Sequence, residues 1–197
     1  YLPLLGKKPK LTYEKVISDM INTPQTNTQN VLEHGISVAK HFDKLISGDT
    51  NNWKLPTWFI DNKELILNNL HSLEDIKEYH VMHDCGKSYC MTIDEQGKRH
   101  FTNHSQVSFD TFSKISDNKV VADLILKDMV LHTIKSDEVE DFIKNNSIKT
   151  VITLLVTALC ELHSNASMFG GTESTSFKIK FKQLDKRGKQ ILKLINK

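Results

Sequence analysis

The stretch Tyr79-His80-Val81-Met82-His83-Asp84-Cys85-Gly86-Lys87 sets an imidazole and a carboxylate on consecutive residues, with a glycine and an ammonium close behind. A neutral imidazole and a carboxylate are the borderline and hard halves of a transition-metal site, suited between them to Zn, Mn, Fe, Ni or Co. Adjacent residues of a helix point about 100° apart. His83 and Asp84 could therefore grip one ion from neighbouring directions, or Asp84 could bridge two ions while His83 holds one. Gly86 permits a backbone turn that other residues resist. Lys87 then falls just past the helix end, where an ammonium could meet a phosphate oxygen. Alone, the same dipeptide also describes a helix-capping histidine beside a carboxylate.

The flanking elements must position this pair. A helix starting at Ser72, with Asp75 three residues on, ends in His83-Asp84. His80, one turn earlier, reads as an outer-sphere partner rather than a ligand, and Cys85 as packing. From about Thr28 to Ile46, Val31, Val38 and Leu45 share a stripe with His34 and His41 at the spacing of a buried face. His34 is expected to point inward and His41 to be structural. After Lys87 the pattern alternates: Tyr89 to Ile93 and Lys98 to Phe101 flank Asp94-Glu95-Gln96-Gly97, a short hairpin with a glycine in its turn. It delivers His100-Phe101-Thr102-Asn103-His104, and His104 begins a helix backed by Val107, Phe109 and Phe112. Asp117 to Ile134 reads as one helix with His132 near its end, where an interaction with the helix dipole is the alternative to a site role. Ser147 to Ser167 is apolar nearly all round and so expected to be buried. Glu161 stands within it, and a buried carboxylate needs a partner to offset desolvation, either a metal or a basic side chain.

With His34 before it and His104, His132 and Glu161 after it, His83-Asp84-Cys85-Gly86-Lys87 resembles the His-Asp-x-Gly-Lys variant of the HD superfamily of metal-dependent phosphohydrolases. It is similar to the HD domains of tRNA nucleotidyltransferases and of cyclic-dinucleotide phosphodiesterases, over about Thr28 to Gly170. The resemblance implies an all-α, HD-domain-like helical bundle around a metal site, with a small β-hairpin after the His-Asp pair. Glu33-His34-Gly35 with Val38-Ala39 resembles the helix that supplies the first ligand. Ala158-Leu159-Cys160-Glu161-Leu162-His163 lies where the family places its final aspartate, and Glu161 stands there instead, with His163 and Asn165 as nearby substitutes. Its extra methylene moves the oxygens outward. His100 to His104 resembles the family's His-Phe-x-x-His element, so His104 is implied as a ligand of a second metal or as a phosphate contact, with a helix cap as the bland alternative. His132 would be its partner. One or two divalent ions (Mn, Mg, Ni, Co, Zn or Fe) held by His34, His83, Asp84 and Glu161 would activate water. Asp84 would orient the nucleophile, and Lys87 would neutralise transition-state charge. The implied substrate is a phosphate ester of a nucleotide or a nucleic-acid end, cleaved as a phosphomonoesterase or phosphodiesterase. A noncatalytic binding module and a di-iron oxygenase are the other classes open to such a chain.

The 197 residues carry 26 Lys and Arg against 24 Asp and Glu, so net charge declares no nucleic-acid partner. The tail is different: Lys178, Lys180, Lys182, Lys186, Arg187, Lys189, Lys193 and Lys197 are interleaved with Phe177 and Phe181, as suits a phosphate backbone or a solvated helix face. Its spacing fits both strand and helix. Lys178, Lys180 and Lys182 are its candidate phosphate contacts. Cys85, Cys90 and Cys160 have no paired spacing, which argues for a reducing compartment. No apolar run reaches the roughly 20 residues of a membrane span, and the chain reads as soluble and cytoplasmic. It begins at Tyr1 rather than Met, in keeping with trimming or with a piece of something longer. The expected division is an arm and short helix over 1–26, a phosphohydrolase core over 27–170, and a basic extension over 171–197 packed on or next to the core. Tyr1 to Lys10 reads as an extended arm, Leu11 to Ile21 as a helix ended by Asn22-Thr23-Pro24, and Asp61 to Leu70 as another helix. Trp53 to Phe59, where Pro56 argues against a regular helix, is either a cleft wall or a lid over the core.

Overall fold

The computed structural model describes residues 10–197; the arm expected over Tyr1–Lys10 lies outside the described residues apart from Lys10 itself. The chain is helical with one small hairpin, as expected. Helix α1 (Tyr13–Ile21) is capped by the Thr12 hydroxyl, and α2 (Val31–Ser47) by a reciprocal capping box in which Asn30 and Glu33 satisfy each other's backbone N–H groups. Gly48 ends α2 at a φ of 82°, a conformation that favours glycine. Helix α3 (Thr57–Asp61) precedes α4 (Lys63–Asn68), and α4 lies within the helix expected from Asp61 to Leu70. Pro56 starts α3 rather than forbidding it, since a fixed φ and a missing N–H are tolerated at a helix start. Trp58 and Phe59 are buried, so this segment goes to the core.

Helix α5 (Leu73–Met82) starts after Ser72, whose Oγ accepts from the Asp75 N–H, and ends directly before the His-Asp pair, with His83 at its C-cap. Strands β1 (Met91–Ile93) and β2 (Arg99–Phe101) pair antiparallel, with Met91 opposite Phe101, and Gly97 turns between them at a φ of 76°. Helix α6 (His104–Ile115) follows directly.

The continuous helix expected from Asp117 to Ile134 is broken into α7 (Lys119–Leu126) and α8 (Val130–Thr133). The turn between them drives Asp128 into the core, where it is only 6 % exposed. Helix α9 (Val139–Lys144) leads to α10 (Ile148–Ser164), in which every residue from Thr150 to His163 is buried. The basic tail is a helix, α11 (Thr175–Ile195), capped by Ser174. Phe177, Leu184, Gly188, Ile191 and Leu192 form its buried face, and α11 packs on α10, α3 and α9. The alternation of Phe177, Ile179 and Phe181 with lysines is therefore not a strand: Ile179 is left exposed while the helical spacing is buried. No helix among the described residues is long and apolar enough to cross a membrane.

Two close approaches set the positions of α2, α5 and α6. A Cβ added to Gly35 on α2 would fall on the carbonyl oxygen of Val81 on α5, so these helices meet backbone to backbone beside His34. Gly86 plays the same part against the backbone of Val107 and Ser108. Its φ of −88° lies in a region open to any residue, which corrects the expectation of a special turn: glycine is needed for space. Replacing Gly35 with alanine should gain up to about 1 kcal/mol in helix propensity but lose about 1–3 kcal/mol to overpacking. We expect a net loss of stability by chemical denaturation, together with weaker divalent-metal uptake; an unchanged midpoint would show that α2 and α5 can separate freely.

Candidate metal centre

His83 is the hub. Its Nδ1–H donates to the His80 carbonyl oxygen at 2.7 Å, which leaves Nε2 as the free ring nitrogen. That nitrogen lies 3.2 Å from Asp84 Oδ2 and 3.2 Å from Glu161 Oε1. All three side chains are buried. A ligating histidine commonly gives its second N–H to a carbonyl in this way, fixing tautomer and ring orientation. A bare lone pair between two carboxylate oxygens is repulsive, so Nε2 must carry either a proton or a cation. Burial alone would push the imidazole down, but Asp84, Asp128 and Glu161 hold it well above its ordinary range.

The other expected residues assemble around this hub. His34, from the inner face of α2, brings Nε2 to 3.6 Å from Asp84 Oδ2, and its ring centroid is 5.2 Å from that of His83. Burial, reinforced by His83, pushes it down to about 4, so it is a neutral donor at neutral pH. Lys87 Nζ meets Asp84 Oδ2 at 2.9 Å and Gln25 Oε1 at 3.0 Å, and lies over the Phe101 ring delivered by β2. It is buried, so the ammonium belongs to the site itself and not to an exposed helix end. His104 directs Nε2 to the other Asp84 oxygen at 3.8 Å, its Nδ1–H donating to the Phe101 carbonyl. Desolvation is the largest influence on Asp84 and opposes ionisation, but His83 and Lys87 hold the carboxyl well below its usual range.

Glu161 extends the cluster from α10. Its Oε1 faces His83 and has no hydrogen-bond partner, while its Oε2 accepts from His132 Nε2 at 2.9 Å. Against the cost of burial, that bond raises His132 above its ordinary value. His132 thus holds Glu161 as a hydrogen-bond donor and sits at the far end of the chain of contacts from His104, rather than beside it. Lys180 reaches the cavity bordered by Glu161 and His132. Lys178 is exposed and pairs with Glu173 at 3.5 Å, and Lys182 is exposed.

Asp128 was not expected in the site. It accepts from the Tyr79 hydroxyl, and one of its oxygens lies within 4.8 Å of donor atoms of both His83 and Glu161. Burial and the neighbouring Glu161 raise its carboxyl, whereas the histidines around Glu161 outweigh desolvation and lower that one. Of the two acids, Asp128 is therefore the weaker, pushed up to about 7, and Glu161 the stronger. The available signal was a carboxylate one helical turn before His132 within an apolar run, hidden by reading that run as one helix. His80 acts as expected, outside the cluster: its Nε2 bonds Thr157 Oγ1 at 2.8 Å and its carbonyl fixes His83. His41 is structural, bonded to the Ser37 carbonyl. His163 contacts the Lys54 carbonyl and stacks on Trp53, so it does not substitute for Glu161.

Two donor groups result, His34–His83–Asp84 and His83–Asp128–Glu161, each with ligand atoms within 4.8 Å. The buried, unpartnered Glu161 Oε1 and the mixed nitrogen and oxygen donors fit a divalent ion of the borderline class. No protein-family model, curated protein or solved structure matches the chain.

Because Nε2 of His83 carries a proton in the absence of a cation, metal uptake near neutral pH should release protons. Calorimetric titration in buffers of different ionisation enthalpy measures the number, and a value of zero would contradict the site. At 100-fold excess over Kd, the ion should stabilise wild type by about 2.7 kcal/mol, and His83→Ala should lose that gain.

His80, pushed down to about 3 by burial and then by His83, gives a separate pH dependence. Between pH 6.5 and 3 the unfolded chain binds this proton and the folded chain does not, so stability falls as pH falls. The slope from each such histidine is about 1.4 kcal/mol per pH unit. Metal-free His80→Gln should lose stability less steeply than wild type over that window in thermal melts, and identical slopes would refute the assignment.

Proposed function

We propose that this chain is a metal-dependent phosphohydrolase that cleaves a phosphate ester of a nucleotide or of a nucleic-acid end. The observation that carries the reading is the buried His83 Nε2 set between the Asp84 and Glu161 carboxylates, with the Lys87 ammonium on the same Asp84 oxygen. Donors for a cation and a cation suited to phosphate are thereby joined in one cluster. The order His34, His83-Asp84, Glu161 and its resemblance to HD phosphohydrolases support the same class.

His34, His83, Asp84 and Glu161 would hold the ion, with Asp128 or His104 completing a second position. A divalent ion supplies Lewis acidity there, bringing a water toward neutral pKa and polarising phosphoryl oxygens. Asp84 Oδ1, the oxygen turned toward His104, is free to accept a hydrogen bond from the attacking water and so to orient it. Lys87 Nζ offsets the negative charge that grows on the phosphoryl oxygens. His132 donates its Nε2 proton to Glu161 Oε2 and so would keep Glu161 Oε1 turned toward the ion. His80 and Thr157 keep the His83 ring oriented.

Hydrolysis of mononucleotides, cyclic nucleotides and end-phosphorylated oligonucleotides should require a divalent metal. Asp84→Ala should abolish it, and Lys87→Met should lower kcat by roughly 10²–10³-fold, the usual loss of one donor to a developing oxyanion. Equal rates for wild type and Asp84→Ala under saturating metal would overturn the reading.

A further inference from the structure

Two hollows meet at His132. The first, about 220 Å³, is lined by Glu161, by apolar side chains that include Leu162, Phe169 and Leu184, by the amides of Asn165 and Gln183, and by Lys180, whose Nζ lies 5.1 Å from the centre of the Phe169 ring. The second, about 350 Å³, is lined by Lys135, Lys186 and Arg187 and by no carboxylate. Leu131, His132 and Gln183 border both. Building on the phosphohydrolase reading, we propose that the two hollows together bind the end of a single-stranded nucleic acid: the terminal nucleoside in the first, and the following backbone phosphates in the second.

The division of chemistry between the hollows supports this occupant. Apolar walls with an aromatic ring among them accept a base, side-chain amides offer both donors and acceptors to its edge, and the Lys180 ammonium over the Phe169 ring adds a cation for the nucleotide's phosphate. The cavity is smaller than the roughly 300–1,000 Å³ of drug-sized sites, so it admits one nucleoside and the rest of a strand must leave it. The cationic hollow is the adjoining exit. Arg187 is held in place there, its Nε donating to the Ile134 carbonyl at 3.0 Å and an Nη to Gln190 Oε1. Elsewhere on α11 two lysines meet carboxylates, Lys178 with Glu173 and Lys189 with Asp185. Past Thr133 and Ile134 the next hollow is lined by Asp137, Glu138 and Asp141, which repel phosphate and direct the strand along the Lys186 side. An acidic peptide would satisfy the cations but leave the base-sized cavity beside Glu161 without a suitable group.

Fluorescence anisotropy with an internally labelled single-stranded oligodeoxynucleotide, in EDTA so that nothing is hydrolysed, tests the proposal on the full chain. Linear DNA should bind, with log affinity falling linearly in log salt. The combined Lys135→Gln and Lys186→Gln variant should show a slope smaller by about 0.7 per lysine, and its circular dichroism should match wild type. The same oligonucleotide closed into a circle should compete poorly. An unchanged salt slope, equal competition by the circle, or equal competition by polyglutamate overturns the proposal. The two readings fail separately: binding of the expected pattern by a protein that hydrolyses nothing under any divalent metal removes the phosphohydrolase and keeps the strand-end site, whereas hydrolysis without that binding removes the strand-end site alone.

Discussion

The hydrogen bond from His83 Nδ1 to the His80 carbonyl decides what the centre of this protein can be. It closes within the last turn of α5, so it needs only local helical geometry. By committing one ring nitrogen to the backbone it turns the other toward two buried carboxylates. An arrangement of three electron-pair donors in a dry interior costs several kcal/mol per unpaired ion unless positive charge joins it. Lys87 provides part of that charge, and a proton or a metal on His83 provides the rest.

The surrounding fold keeps these donors close. Gly35 lets α2 touch α5 at the level of His34, and Gly86 lets the turn after Asp84 touch α6 at the level of Ser108. The buried α10 supplies Glu161 from one side and Thr157, which orients His80, from one turn earlier. The glutamate at position 161 sets the reach of the site. Its longer side chain presents one oxygen to His83 and the other to His132, tying the buried cluster to α8 and to the cavity under α11. An aspartate on the same backbone would be one methylene shorter and could not span both.

Much of this was legible from residue types and periodicity. The inward face of α2 placed His34, the serine before α5 set the start of the helix that ends at His83-Asp84, and the alternating segment after Lys87 indicated the hairpin that carries Phe101 and His104. Asp128 was not legible, because a run such as Lys119 to Leu131 satisfies one long helix as well as two short ones. Nor was the role of Gly86, since a glycine needed for space looks the same as one needed for a positive φ.

By itself, then, the sequence determined which groups are available and which helix faces turn inward, because both follow from side-chain chemistry and from the 3.6-residue period. The tertiary structure alone decided which of those groups share oxygens. His34, Asp84, His104, His132 and Glu161 come from five separate segments, and their distances depend on how closely the backbones pack. The same holds for the basic tail: its lysines were visible, but only the docking of α11 on α10 separates Lys180 and Lys186, which border hollows beside the cluster, from Lys178 and Lys189, which pair with acids. Helical periodicity is a local property of one segment, whereas a site built from several segments is fixed by packing between them.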